Sequence, residues 1–440
     1  MKSLPARILL SIALLMTLAL VVAPKIIGLG IEQAAINSVL ELIPPEAESQ
    51  LEIRRNEFTE GWFRSSAKLE FLYMPIGTDA VALSMDFEID HGPLLVTADG
   101  LRIGLASANI TPGIRNDLFD VAIADLEFPV PQVTLDLLVR FDQSLLLAMD
   151  ISAVDYDGSD GEVSFAGLKA SANVNPDQSA QFALQMGELS ATEIAANSNI
   201  VVTGMTIESR TARMNDILAA SSAKLTIPSI SSTAPLPFSV SDISIDWGLQ
   251  ASTTSPDSSE VYQALKVASI ESEIPINALS WDSEIKQLKN ELLRDYYLLL
   301  SEIQNQYNSD PDAVSAELTE LGQELLLLLM QNPLEANNLI ELSSYGGDHS
   351  ADLRIQWAGL SDLSDVAELD MNAAISALNI TLVISLDLEA VLRSPLAGLV
   401  DPYVQQGYLT IDNGRVMVEG SLQDSILRVN GDELPLDQFF

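Results

Sequence analysis

The chain has 440 residues, more than one domain normally needs; at about 150 residues each it makes two or three. It carries 22 Lys and Arg against 62 Asp and Glu, a net charge of −40. So negative a chain repels nucleic acid, whose affinity comes mostly from phosphate neutralisation, so no nucleic acid is expected among its partners. No cysteine is present, which removes disulfides, thiolate nucleophiles and Cys-based metal sites, and the two histidines, His91 and His349, are too far apart in sequence to suggest a His-pair mechanism.

Residues 8–24, ILLSIALLMTLALVVAP, hold no charge. Seventeen residues rise about 25 Å as a helix, and continuing to Gly30 gives about 34 Å, enough for a hydrocarbon core of about 30 Å, with Lys25 snorkelling to the outer interface. Lys2 and Arg7 precede the run, which predicts a cytoplasmic N-terminus and a single-pass signal anchor over 1–30, with the lipid bilayer as partner through residues 8–30. Beyond the first 30 residues the chain has 19 basic and 62 acidic groups, a net of −43. A cleaved signal peptide is the competing reading: Pro24 directly after Val21-Val22-Ala23 should block the peptidase, while Gly28-Leu29-Gly30 is a weaker site.

Apolar spacing in IEQAAINSVLEL predicts a juxtamembrane helix over 31–45, stopped by Pro44-Pro45. From 46 to 278 the chain alternates apolar and polar residues in runs such as SAKLEFLYM, QVTLDLLVRF and FSVSDISIDWGL, separated by turn-like clusters; this texture predicts successive antiparallel strands. Over 279–335 the period becomes helical, with Ile285, Leu288, Leu292, Tyr296, Leu299 and Ile303 on one face and Asp310-Pro311 as a second start signal, so a helical hairpin is expected. Residues 336–440 return to strands, including MNAAISALNITLVISL, with one short helix near 388–404. The fold class is therefore mainly β with a helical insertion: an N-terminal transmembrane helix, then an elongated or curved antiparallel β-sheet body. Ser65-Ser66-Ala67-Lys68-Leu69 recurs as Ser221-Ser222-Ala223-Lys224-Leu225, and Ile89-Asp90-x-Gly92 as Ile245-Asp246-x-Gly248, both at an offset of 156; duplicated β modules and coincidence in a Ser/Ala-rich chain both explain the echo.

Few motifs carry chemistry. Both SSAK copies match S-x-x-K, but they open strand-like runs and no Lys-Thr-Gly companion exists. Asp155, Asp157, Asp160 and Glu162 resemble a calcium loop, yet the EF-hand register needs Gly at 160 and Glu at 166, where the chain has Asp160 and Ala166; a solvated hairpin turn is the plainer reading. Sixty-two acids make carboxylate pairs by chance alone, so spacing selects no acid–base dyad. His91, at the end of an alternating strand, reads as a turn or strand cap. No catalytic, cofactor or metal residue is assigned, and the chain is read as a non-enzyme.

The ordered set Gly61-Trp62-Phe63-Arg64-Ser65-Ser66, Ile89-Asp90-His91-Gly92-Pro93-Leu94, Gln331-Asn332-Pro333-Leu334, GYLTIDNG and Val429-Asn430-Gly431 resembles the YdgA-like proteins over essentially the whole chain. That family of unknown function belongs to Gram-negative bacteria. The resemblance implies an inner-membrane anchor, a periplasmic body in the cell envelope and no established reaction. The family pattern falls on Gly61, Phe63, Ser65, His91, Gly92, Pro93, Asn430 and Gly431, with Trp62 inside the first motif; these read as structural, Gly and Pro setting turns and Asn-Gly a tight hairpin. The chain's acidity departs from a typical member.

Strands with apolar faces on a membrane anchor, without a catalytic set, point to function by binding: a carrier that shelters a lipid-like ligand in a sheet groove, or a partner of another envelope protein. The alternative is a structural scaffold that forms a homodimer through the 281–331 hairpin. A carboxylate-based hydrolase is the remote third; it would need two close carboxylates in a cleft, one with a strongly raised pKa.

Overall fold

A computed structural model of the chain describes residues 23–25, 51–73, 81–97, 100–115, 131–158, 161–194, 197–234, 237–253, 255–272, 276–307 and 322–435. The expected anchor over 8–30 and the juxtamembrane helix over 31–45 lie outside these residues, apart from 23–25, which are helical. No helix among the described residues is long and apolar enough to cross a membrane. The chain is mainly β and divides into two compact units.

The first unit takes residues 1–154, 166–185 and 210–217. It begins with β1 (Leu51–Thr59), β2 (Arg64–Tyr73) and β3 (Val81–His91). A small hairpin of β4 (Leu94–Thr97) and β5 (Gly100–Ile103) follows, then β6 (Ala106–Arg115), β7 (Val133–Val139) and β8 (Leu145–Ile151). Strands β9 (Val154–Asp157) and β10 (Gly161–Phe165), which belong to the second unit from Asp155 on, precede β11 (Leu168–Val174) and β12 (Ala180–Met186) in the chain. The main sheet is an antiparallel meander, β1-β2-β3-β6-β7-β8-β11. Residues opposite one another share a face. One face carries Ala67, Phe87, Ile110, Leu135 and Met149 in one row and Ile89, Ala108, Leu137 and Leu147 in the next. That face is the core of the unit: Ile89 and Ile110 are 5% exposed, and Phe58, Met85 and Val139 pack around them. The other face carries charge ladders, with Arg64 2.7 Å from Asp90 and Lys68 3.3 Å from Asp86.

The second unit takes residues 155–165, 186–209 and 218–440. Its strands continue with β13 (Leu189–Glu193), β14 (Ser198–Val202), β15 (Met205–Thr211), β16 (Ser221–Ser232), β17 (Phe238–Ala251), β18 (Ser258–Val267), β19 (Ser269–Glu271) and β20 (Ile276–Lys289). Then come helices α1 (Asn290–Tyr307) and α2 (322–331), strands β21 (Leu334–Ser344) and β22 (Gly347–Trp357), and α3 (Met371–Ala377). The chain ends in β23 (Leu378–Asp387), α4 (Leu388–Arg393), α5 (Ala397–Gln405), β24 (Thr410–Asp412), β25 (Arg415–Gln423), β26 (Ile426–Val429) and β27 (Asp432–Leu434). The sheet is again an antiparallel meander, β10-β13-β14-β16-β17-β18-β20-β21-β22-β23-β25-β26-β27. Tight two-residue turns set the register of its last hairpins: Tyr345-Gly346, Asn413-Gly414, Asp424-Ser425 and Asn430-Gly431 all have both residues at positive φ, the primed-turn geometry that matches strand twist.

Three local expectations are corrected. Residues 279–289, assigned to the helical hairpin, belong to β20; Ile285 stands opposite Val261 and Ala336, and pairing on both edges overrides the helical period. The helix starts at Asn290, and because β20 pairs with β21 the helical segment is an insertion inside a hairpin connection; Asp310-Pro311 lies outside the described residues. Met371–Ala377, expected as strand, is helical, its start capped by the Asp370 carboxylate, which accepts from the Asn372 N–H. The helix near 388–404 is two helices, interrupted at Ser394-Pro395-Leu396. The 156-residue echo falls on strand pairs β2–β3 and β16–β17, but the register differs: Lys68 stands opposite Asp86, whereas Lys224 stands opposite Asp246, four residues on from the equivalent Asp242.

Candidate functional site

Seven of the nine motif residues gather at one end of the first unit's sheet. His91 ends β3 on the apolar face, opposite Ala106, and is 3% exposed. A buried imidazole must satisfy both nitrogens. Its Nδ1 lies 3.2 Å from the Trp62 carbonyl, which only accepts, so Nδ1 carries the proton in the neutral ring. Nε2 then accepts from the Ser65 hydroxyl at 2.9 Å, and the Ser65 Oγ in turn accepts from the Gly61 N–H at 3.4 Å. The His91 N–H donates to the Phe63 carbonyl at 2.8 Å, which closes the 61–64 turn onto β3. Gly61 and Gly92 are required by backbone approach: a Cβ would sit 2.0 Å from the Arg64 carbonyl oxygen at the first and 1.8 Å from the Gly104 carbonyl oxygen at the second. Pro93 follows Gly92 through a cis peptide bond.

A serine hydroxyl on an imidazole is the opening half of a nucleophile–base pair. Here Ser65 is as buried as His91, which denies a substrate access to Oγ, and the ring is oriented by a backbone carbonyl. The arrangement works as a clamp. His349, in the second unit, is held the same way with the opposite tautomer: its Nδ1 accepts from the Asp387 N–H and its Nε2 donates to the Ser344 carbonyl, both at 3.3 Å. Asn430 and Gly431 belong to the second unit, at the turn between β26 and β27; the Asn430 amide also donates to the Gly407 carbonyl at 3.0 Å and accepts from the Glu419 N–H at 2.9 Å.

The second unit holds the larger feature. Leu225 stands opposite Ile245, Ile245 opposite Leu265, Leu265 opposite Trp281 and Trp281 opposite Ile340. The row runs on through Ala351, Ile384 and Val418, so one unbroken line of apolar side chains crosses eight strands. A parallel row holds Leu249, Val261, Ile285, Ala336, Ile355 and Ile380. The reverse face is mostly polar, with ion pairs Lys224–Asp246, Lys286–Glu284 and Arg354–Asp352; hydrogen bonding to Glu284 and to Asp352, respectively, holds the Lys286 and Arg354 pKa values above their usual range.

This face is covered at two corners, and between its two apolar rows it carries the polar Gln263, Ser283 and Asn338, the Trp281 indole donating to the Asn338 side chain at 3.3 Å. Val391 of α4 and Val400 of α5 pack on Val416, whose row partner is Leu386, and the Trp357 indole donates to the Met330 carbonyl at the end of α2, 3.0 Å away. Away from those corners Ile340 on β21 remains 42% exposed, as does Trp247 on β17, opposite Ala223, at 41%. A cavity lies at each end of strands β20–β22. One, of about 570 Å³, is lined by Val267, Leu279 and Leu342 together with the charged Lys266, Arg415, Asp242, Glu341 and Asp348; the other, of about 520 Å³, mixes Leu334, Trp357 and Leu378 with the polar Gln287, Glu335, Gln356, Asn379 and Asp424.

The acidic loop Asp155–Glu162 sits elsewhere in the same unit. Asp155, Asp157 and Glu162 line a cavity of about 330 Å³, and Asp155 accepts from the Ser164 hydroxyl at 2.7 Å; Asp160 lies outside the described residues. Among the described residues no three His, Asp or Glu side chains are placed to share a metal ion. Asp142 and Asp177 are carboxylates held below their usual range, each by accepting from the side chain and backbone of the serine two positions on.

A family model described as "Bacterial protein of unknown function (DUF945)" matches residues 2–437. The chain belongs to this family. No curated protein and no solved structure matches it. In this DUF945 protein the motif residues legible in sequence form the clamp of the first unit and one turn of the second, while the apolar strand faces were expected without any residue being assigned to them. The signal lies in alternating positions of six to eight strands, and it becomes a surface only once every register is known.

Proposed function

We propose that the protein is a non-enzymatic, membrane-tethered envelope protein that shelters lipid-like apolar ligands on the apolar face of the second unit's sheet. The finer resemblance to YdgA-like proteins supports an inner-membrane anchor through residues 8–30 and a periplasmic body. The observation that carries the reading is the row from Leu225 to Val418: its residues alternate cleanly with a polar face, yet Ile340 near its centre stays 42% exposed. Soluble chains rarely leave so extended an apolar strip unfilled, and covering it with an acyl chain recovers about 25 cal/mol per Å². The two cavities lie at either end of strands β20–β22, to each side of this row. The competing scaffold reading draws on Tyr296, Tyr297 and Leu298, exposed on α1, as a homodimer surface; a solution mass of one chain would remove it.

The test is titration of the delipidated full chain with an anthroyloxy-labelled fatty acid. Saturable binding that falls at least tenfold in Ile340→Asp, with an unchanged circular dichroism spectrum, is expected. Binding of equal strength in Ile340→Asp, or none in the parent, overturns the reading.

A further inference from the structure

The end of the first unit that holds the His91 clamp also carries an exposed apolar surface, which a clamp does not need. In the β4–β5 hairpin Leu94 pairs with Ile103 and Val96 with Leu101, so the four side chains share one face. That face points away from the core: Val96 is 75% and Ile103 69% exposed, while Leu95 between them is buried beside Gly104 and Leu138. The registers bring two more connections to the same end. Arg64 stands opposite Asp90 and Val139 opposite both Ala106 and Leu145, so the 60–63 turn and the 140–144 turn flank the hairpin's base. These turns expose Trp62, Phe63 and Phe141.

Two observations say what covers this surface. Lys25, directly after the apolar run 8–24, is ion-paired with Glu60, two residues before Trp62, so the chain leaves that run at this end of the unit. The charge there also differs from the rest of the chain. Lys25 and the three connections contain Lys25, Arg102 and Arg140 against Glu60, Asp99 and Asp142, one acid per base, where the whole chain has 62 acids to 22 bases. A nearly neutral end with aromatic and aliphatic tips, on a body otherwise strongly anionic, suits the interfacial layer of a phospholipid bilayer, where Trp is enriched and from which the remaining acidic surface is repelled.

We infer that this end docks on the bilayer, the β4–β5 hairpin and the Trp62-Phe63 turn entering the interface beside the anchor. The inference rests on the membrane-tethered part of the reading above and not on the ligand. Since the chain has no cysteine, single-cysteine variants are clean probes. Val96→Cys and, as a control on an exposed strand of the second unit, Ile200→Cys would carry an NBD label in full chain reconstituted into vesicles of phosphatidylethanolamine and phosphatidylglycerol.

The expected result is quenching of the label at 96 by spin-labelled lipid, with at least threefold protection from aqueous iodide relative to the label at 200. Flotation of the vesicles through alkaline carbonate reports the anchor separately. Flotation with no lipid quenching at 96 overturns docking and leaves the anchor; neither signal overturns both. Protection from iodide without lipid quenching also overturns docking, and assigns the hairpin to a protein partner, a second copy included. Lipid quenching without carbonate-resistant flotation supports docking alone.

Discussion

The two units are built on one plan and completed differently. Each is an antiparallel meander with a charged face and an apolar face. In the first unit the apolar face is a filled core, rich in small side chains at Ala67, Ala106 and Ala108, with Ile89 and Ile110 almost wholly buried. In the second, larger side chains such as Leu265, Trp281 and Ile384 line the equivalent face, helices seal only its corners, and Ile340 stays exposed. The lesson is that alternation predicts which residues share a face, and says nothing about whether anything lies on it. A filled face contributes to stability, and a face left partly in water contributes less.

The largest expected effect tests whether the motif residues serve the first unit's fold. Gly92→Ala would set a methyl 1.8 Å from the Gly104 carbonyl oxygen and 2.8 Å from that of Leu105, backbone atoms that cannot turn aside. The Gly92 N–H also donates to the Leu105 carbonyl, so relief of the clash breaks a strand connection. A loss of about 3 kcal/mol or more is expected. Amide hydrogen exchange read peptide by peptide should show it over 51–115, with 276–344 unchanged. Equal loss of protection in both stretches would show that the two units unfold as one.

A second pair sets the filled face against the open one with the same chemical change. Ile110→Ala removes a side chain that is 5% exposed inside a packed cluster and should cost about 3 kcal/mol. Ile340→Ala acts where 42% of the residue is already in water, and should cost about 1 kcal/mol or less. Denaturant midpoints, with slopes checked for a change of cooperativity, measure both. Costs of similar size would mean that the second face is filled after all, and the carrier reading would lose its ground.

Much of this was legible in the residues. Alternating runs such as QVTLDLLVRF and FSVSDISIDWGL are strands, and Asn413-Gly414 and Asn430-Gly431 are the turns that such dipeptides form. The misread segments have different local causes. INALSWDSEIKQLK holds apolar residues that satisfy a helical and an alternating pattern alike, and only its two strand neighbours decide. In MNAAISALNITLVISL a short helix and a strand join with no breaker between them, and the Asp370 cap precedes the apolar run. Within the clamp, the Ser65–His91 bond joins residues 26 apart through the β2–β3 register, which no local spacing encodes.

The smallest effect concerns a repeat that the 156-residue echo concealed. Arg140-Phe-Asp-Gln-Ser144 and Asn175-Pro-Asp-Gln-Ser179 form the same turn: the first residue's N–H donates to the serine carbonyl, the glutamine N–H donates back to the first residue's carbonyl, and the aspartate accepts from the serine. In both, the glutamine is left-handed, with φ of 68° at Gln143 and 66° at Gln178, a conformation that costs an L side chain about 1 kcal/mol. Gln178→Gly should therefore raise stability by up to about 1 kcal/mol, the gain reduced by glycine's greater freedom when unfolded, while Asp177→Asn should lower it slightly. The pH dependence has a definite sign. The folded pKa of Asp177 lies below its ordinary value because the ionised carboxylate accepts from Ser179. Its contribution is present above the ordinary carboxylate pKa and is lost as pH falls through the depressed value, so Asp177→Asn should differ least from the parent in acid. Because Asp177 is exposed, the difference should be small, and it should also shrink with salt if charge, and not the hydrogen bonds to Ser179, were its source. Denaturation midpoints at neutral and acid pH, each with and without added salt, separate the two. A turn held by hydrogen bonds keeps its contribution in salt, which is what the shared geometry of the two aspartates predicts.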